Sequence, residues 1–356
     1  MIQARICKSF RPGPESAGFR LEVEFQVEGG ISVLFGPSGS GKTLTLDAIA
    51  GFVKPDEGRI LLDDEILFDA PSGVDLPPQA RRCGYVFENY ALFPHMTLRQ
   101  NLAFAAEGSP RLERHRRVNE MLERFHLTEY AGRRPHEVSA AEKQRCSMAR
   151  ALIGSPRLLL LDQPGRGLDA GIRAEFYGLL RQVRAEFQMP ILLVARHLEE
   201  CFELGDEMLV LREGRLVQSG PPRSVAEGPA DVEVARLLGI FNLFPVEIVE
   251  LDPQRNYSRV RLWGHDLSGP YFPGKLRGDH VWLCVRPDQL DASTRDARPG
   301  PNQIPAQLIR SIETPQAVRL EFEGDLTVEL SQAAFDQQKH NKEWVVSFPP
   351  QALRVL

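Results

Sequence analysis

The chain contains no apolar run approaching the ~18 residues a membrane-spanning helix needs, so it is not expected to cross a bilayer. Its opening residues, Met1-Ile2-Gln3-Ala4-Arg5, lack the apolar core of a secretory signal, and none is expected. Cysteine is sparse: Cys7, Cys83, Cys146, Cys201 and Cys284 are scattered, odd in number and free of any CxxC pair. That spacing excludes a disulfide framework and a zinc site, and it fits a reducing cytosol. His95, His115, His126 and His136 show no HxxxH spacing and read as surface or packing residues. Basic excess is missing too. The formal net charge is -5, which excludes bulk electrostatic binding to nucleic acid. The basic run Arg111–Arg117 reads as the solvated face of a helix.

What remains is the composition of an ordinary globular chain, 42% apolar and 26% charged over 356 residues, long enough for two domains. To about residue 238 the pattern alternates strands and helices. Leu21–Val27 alternates as a half-buried strand does, and Ile31–Phe35 is a short apolar run. Helices are expected over Thr43–Gly51, Leu112–Leu127 and Ala174–Phe187, and a single strand over Arg59–Leu67. Leu158–Leu161 and Ile191–Val194 are continuously apolar, as in parallel strands buried on both faces. Met208–Leu211 and Arg215–Val217 flank Glu213-Gly214 as a hairpin. From residue 239 onward the texture changes to short alternating segments: Val246–Val249, Arg259–Leu262, Val281–Val285, Ala306–Ile309, Val318–Phe322, Leu326–Leu330 and Trp344–Phe348. Turn residues such as Arg298-Pro299-Gly300-Pro301 separate them, which points to a small β-barrel or sandwich. The expected domains are therefore 1–238 and 239–356.

The chemistry is concentrated in Gly36-Pro37-Ser38-Gly39-Ser40-Gly41-Lys42-Thr43, set between an apolar strand and a helix. This is the GxxxxGK[ST] phosphate loop of nucleoside triphosphate binders. Glycines let backbone N–H groups close around phosphates, and the following helix adds its positive end. Lys42 supplies charge to the β and γ phosphates, and Thr43 offers a hydroxyl to Mg²⁺. Asp162, ending Leu158-Leu159-Leu160-Leu161, is placed as a second magnesium-binding oxygen source at the end of a buried strand.

Taken together these residues resemble the ATP-binding subunit of an ABC transporter. Further segments carry the resemblance. Gly84–Thr97, with Glu88 at its centre, is similar to the Q-loop and the entry to a helical subdomain near residues 90–155. Val138-Ser139-Ala140-Ala141-Glu142-Lys143-Gln144-Arg145 resembles the signature segment, and Lys8-Ser9-Phe10 the aromatic loop that stacks Phe10 on adenine. Val285-Arg286-Pro287-Asp288 resembles a motif of the OB-like regulatory tails of importers. The resemblance implies an α/β fold: a P-loop ABC-type nucleotide-binding domain with an inserted helical subdomain, then a small all-β TOBE- or MOP-like domain. It implies ATP and Mg²⁺ as ligands, with Thr43, Glu88 and Asp162 around the metal. It implies a homodimer or heterodimer of cassettes, no nucleic acid, and transmembrane permease subunits docked near Asn89–Thr97. The location implied is cytoplasmic, peripheral on the inner face of the plasma membrane. Importers of the molybdate, sulfate and maltose types share this layout; the wording of the phosphate loop and the compact N-terminus lean toward molybdate, and the solute implied is an oxyanion such as molybdate or sulfate.

Several positions depart from the family pattern. The glutamate that polarises water after Asp162 is Gln163, which cannot accept a proton; loss of such a base costs roughly 10²–10⁴ in rate. The Q-loop glutamine is Glu88, and the signature glycines are Ala140 and Ala141, whose Cβ atoms are expected to crowd a close approach or forbid a positive φ. The D-loop serine is Arg166. Leu198-Glu199-Glu200 sets a register that puts Arg196 at the switch histidine, whereas a one-residue slip puts His197 there. Ser139 is retained as a donor. ATP binding with weak hydrolysis is expected; the alternative is a non-hydrolysing regulatory or scaffold protein that dimerises on ATP.

Overall fold

The computed structural model describes all residues except 14–17, 109, 295–299, 316 and 339–342, so Arg298 and Pro299 of the expected turn lie outside it. The chain divides into two compact units, Met1–Gly228 and Pro229–Leu356.

The first unit is built on an eleven-stranded sheet. Its centre is parallel. Ile31–Phe35 lies between Glu207–Arg212 and Ile191–Val194, followed outward by Leu158–Asp162 and Cys83–Val86. The apolar runs predicted to be central are buried along their whole length, as a sheet covered on both faces requires. An antiparallel portion, Ile2–Phe10, Phe19–Val27 and Glu57–Leu62, carries the alternating patterns. The expected single strand over Arg59–Leu67 is instead two strands, Glu57–Leu62 and Glu65–Asp69, paired as a hairpin. The break falls at Asp63-Asp64, where Asp63 takes a φ of 55°, a conformation that aspartate tolerates in turns.

Between Cys83–Val86 and Leu158–Asp162 the described residues form three α-helices, Leu98–Ala105, Arg111–Arg124 and Ala140–Leu152. The first starts at a capping box made by Thr97 and Gln100. Buried Asn101 then clamps the preceding loop: its amide donates to the carbonyls of Met96 and Thr97 and accepts from the Phe93 N–H at 2.8 Å. Tyr90 and Ala91 both hold positive φ, with their carbonyls taken by Arg150 and Ser147. The second helix stops short of Leu127 because His126 adopts a φ of 52°.

The second unit contains two five-stranded antiparallel sheets, one from Asn242 to Gly269 plus His280–Val285 and Arg354–Val355, the other built around Gln303–Glu313. All seven expected strands are present. His265–Gly269, Asp291–Thr294 and Arg354–Val355 add to them. Trp344, Phe322 and Phe348 are fully buried at the core.

One buried polar residue ties the helix Lys42–Ala50 to its surroundings. Arg81 is 1% exposed and donates to the carbonyls of Ala48 and Ile49, the end of that helix, at 2.8 and 2.9 Å. Its other nitrogens reach Leu76 O and Asp75 Oδ1. Without it, two helix-terminal carbonyls lose a donor, and Asp75 keeps only Lys54, at 3.3 Å. Arg81→Ala is expected to lower unfolding stability by about 2 kcal/mol or more, because buried carbonyls lose their donor and a fully buried side chain is removed. Denaturant titration checks this, and a loss under 1 kcal/mol would contradict it.

Candidate nucleotide site

The glycine loop follows directly from the central strand Ile31–Phe35. A Cβ on Gly36 would overlap the carbonyl oxygen of Leu211 on the neighbouring strand. Gly41 has a φ of 101°, and a Cβ there would sit 2.6 Å from Leu21 Cδ1. Both positions therefore require glycine for close approach. Ser40 is buried, with its carbonyl accepting from the Gly214 N–H at 3.1 Å. The Lys42 ammonium lies along the loop, donating to Gly36 O and Pro37 O, each at 2.8 Å, and to Ser40 Oγ at 3.4 Å. Burial lowers its pKa from the usual lysine value, and the Asp162 charge opposes that shift.

Thr43 Oγ1 lies 3.1 Å from each carboxylate oxygen of Asp162. Asp162 is 5% exposed, and its pKa is raised above the ordinary carboxylate value. Burial is the main cause and the Asp47 charge adds to it, while the Thr43 hydrogen bond and Lys42 act the other way. Asp47 in turn accepts from Tyr85 Oη at 2.9 Å. A hydroxyl and a carboxylate converging in this way are the hard oxygen donors that Mg²⁺ prefers. Among the described residues no cluster of three or more His, Cys, Asp or Glu could hold a metal. The pair thus fits an ion that takes its other ligands from phosphate and water.

Of the remaining predicted residues, Gln163 follows Asp162 directly, and the others stand elsewhere on the first unit. Glu88 lies two residues beyond Cys83–Val86, the strand beside Leu158–Asp162, and its carboxylate is ion-paired with the Arg166 guanidinium. Gln163 takes a φ of 48°; its N–H donates to Val194 O at 3.2 Å, and its carbonyl accepts from the Arg166 N–H. Ser139 caps the helix Ala140–Leu152, its hydroxyl and N–H both donating to Glu142 Oε2. Burial alone would raise the Glu142 pKa, but those bonds and Arg145 outweigh it and hold the carboxyl low. Neither Ala140 nor Ala141 has a positive φ. The expectation that their Cβ atoms forbid the required backbone is therefore corrected: they form an ordinary first helical turn, where alanine is favourable. Arg196 and His197 are both exposed, and their N–H groups donate to Glu200 Oε2 at 2.8 and 3.3 Å.

Phe10 is 44% exposed, with the Lys8 ammonium 5.8 Å from its ring centroid. Its cross-strand partner Phe19 reaches the loop itself, 3.2 Å from where a Gly41 Cβ would stand. Sequence reasoning missed Phe19, Asp47, Tyr177 and Glu200. Glu200 is buried and also accepts from Tyr177 Oη, so one carboxylate supports the Arg196–His197 turn. Its signal was legible: a glutamate three residues after the residue preceding a helix is the capping-box spacing.

A model of the ABC transporter family matches residues 21–166. The molybdenum import ATP-binding protein ModC of Paramagnetospirillum magneticum is 41% identical over 59% of this chain and 58% of its own length. The spermidine/putrescine import ATP-binding protein PotA of Vibrio cholerae is 36% identical over 80% of this chain and 74% of its own. This chain belongs to the ATP-binding subunits of ABC transporters. A solved dimer of a bacterial ABC transporter cassette superposes with a TM-score of 0.55 at 25% identity, covering 63% of this chain and 99% of that one. The matches to ModC from P. magneticum and from Rhodospirillum rubrum each span 58% of the relative's length.

The cassette's buried carboxylate has a consequence for stability. Because the folded-state pKa of Asp162 is raised, the folded protein holds this proton more tightly than the unfolded chain does. Its contribution is greatest below the unfolded value and is lost as pH rises through the folded one. Asp162→Asn is therefore expected to raise the melting temperature at pH 7, because the amide puts no charge into the buried position. The gain should vanish below about pH 4, near the unperturbed carboxylate value. Scanning calorimetry of both proteins across that range checks the sign.

Proposed function

We propose that this cassette is the cytoplasmic ATP-binding subunit of an importer for a molybdate-type oxyanion, binding Mg-ATP tightly and hydrolysing it slowly. The observation that carries the nucleotide reading is the junction of Lys42, Thr43 and Asp162, with the lysine lying along the glycine loop and the hydroxyl bonded to the carboxylate. The oxyanion is supported by two ModC proteins, 41% and 40% identical, and by the molybdate/tungstate import protein WtpC of Pyrococcus horikoshii, 41% identical. Dimerisation is supported by the dimeric solved cassettes, one of them described with ADP and phosphate bound. Among the described residues no helix is long and apolar enough to cross a membrane, which fits a subunit held at the inner face by a permease.

In this reading the loop N–H groups and Lys42 receive the phosphates, with Lys42 exchanging its three loop oxygens for phosphate oxygens. Mg²⁺, held by Thr43 and Asp162, would neutralise phosphate charge and polarise the terminal phosphoryl group. Gln163 orients water without taking its proton, so the general-base contribution is missing. Arg196 presents a cation beside the site in place of a neutral imidazole, its backbone fixed by Glu200. Ser139 directs its hydroxyl to Glu142, and must turn from that carboxylate to meet a nucleotide held by a partner cassette. The partly exposed loop Asn89–Thr97, clamped by Asn101 and Arg150, is the surface offered to a permease.

The test pairs affinity with turnover. Purified protein should bind Mg-ATP and lose that binding in Lys42→Ala. Turnover should rise by about 10²-fold in the Gln163→Glu, Arg196→His double variant, the low end for restoring a general base. Wild-type turnover in the ordinary range of about 1–10² s⁻¹, abolished by Lys42→Ala, would sink the slow-hydrolysis reading.

A further inference from the structure

Two departures from the family pattern that lie 78 residues apart in sequence, Glu88 and Arg166, form one ion pair in the fold. We infer that Arg166 is the built-in counter-ion of Glu88, cancelling a carboxylate that would otherwise face the triphosphate, so that the two replacements act as a single neutral unit in nucleotide binding. The inference rests on the nucleotide reading above and extends it to a positioning role for Arg166.

The placement follows from the sheet. Val86 stands opposite Leu161 in a parallel pair, so Glu88 emerges at the same sheet end as Asp162 and Gln163. The turn that follows Asp162 is closed by the Arg166 N–H on Gln163 O at 3.1 Å, which returns the arginine toward the strand carrying Glu88. This end of the sheet already holds negative charge: the Asp47 charge disfavours ionisation of Asp162, and Lys42 is the loop's own cation. A further unpaired carboxylate would repel a polyanionic ligand; a carboxylate bound to guanidinium presents no net charge. The partners are part-exposed, at 53% and 32%, so the pair matters for the local field and little for fold stability. Exposure also makes substitutions at Arg166 tolerable to folding.

The test is a double-mutant cycle on the full chain, read as Mg-ATP dissociation constants at low salt. Arg166→Ser should weaken binding by about fivefold, the scale of an exposed ion pair, because it uncovers Glu88. Glu88→Gln should tighten binding, because it leaves Arg166 as an unpaired cation. The double variant Glu88→Gln, Arg166→Ser should return to within about twofold of wild type, and Arg166→Lys should keep wild-type affinity. The single-variant effects should shrink as salt rises from about 0.05 to 0.5 M, since exposed charges are screened. Melting temperatures of the four proteins should agree, which separates this role from a structural one. A double variant that binds as weakly as Arg166→Ser alone, or an Arg166→Ser variant that keeps wild-type affinity, would overturn the inference while leaving nucleotide binding intact. Tighter binding in Arg166→Ser would overturn it too, by showing that freed Glu88 serves the metal. A wild-type protein that binds no Mg-ATP would refute the functional reading and this inference together.

Discussion

The contact between Thr43 and Asp162 joins the two structures on which the site depends. Thr43 opens the helix that leaves the glycine loop; Asp162 ends a strand two places away in the sheet. Between them runs Ile191–Val194, buried on both faces, so neither partner can shift without disturbing a close-packed layer. The helix is held at its other end by Arg81, which fills its terminal carbonyls. A hydroxyl and a carboxylate are thereby fixed at one point by packing that has nothing to do with nucleotide. That is the condition for a preorganised ligand site, in which little ordering remains to be done on binding.

The burial that fixes Asp162 also strains it electrostatically. Its carboxyl is pushed toward protonation by its surroundings and by Asp47, and Lys42 only partly offsets that. A cation bound there would relieve the strain, which makes the site's instability and its affinity two aspects of one arrangement. Residues selected for such a role are expected to cost the fold something.

Much of this was legible from residues alone. The glycine loop, the leucine run ending at Asp162 and the alternating strands of the second unit each show a local pattern with a single physical reading, and each forms as read. Failures came where a pattern had two local readings. Arg59–Leu67 alternates well enough for one strand, but the consecutive aspartates Asp63-Asp64 favour a turn. Ala140 and Ala141 stand where the family pattern has glycines, yet Ser139 three residues before Glu142 marks a helix start that alanine suits. Asp169 carries the same lesson: it accepts from the Ile172 N–H and begins the helix Ala170–Phe187 four residues before the periodicity suggested. What no local pattern reveals is a partner distant in sequence. Tyr177 with Glu200, and Arg81 with Ala48 and Ile49, become visible only when the sheet brings them together.

Glu88 and Arg166 are the sharpest instance, because the sequence presents them as two separate losses. Counted singly, each removes a group that the family uses, and the sum reads as decay. Placed in the fold, the acid and the base meet, and the charge at the end of the sheet is conserved although both side chains have changed. Gln163 has no such relation: it is an amide where the family carries a carboxylate, and in the proposed register Arg196 would set a guanidinium at an imidazole position, so each change would shift the site in the positive direction. A site that balances one pair of changes and accumulates positive charge from another favours holding a polyanion over proton transfer to its nucleophile. On that view, binding and cleavage have separated along electrostatic lines. In the proposed reading the glycine loop, Lys42, Thr43 and Asp162 would supply the first, and the altered positions would limit the second.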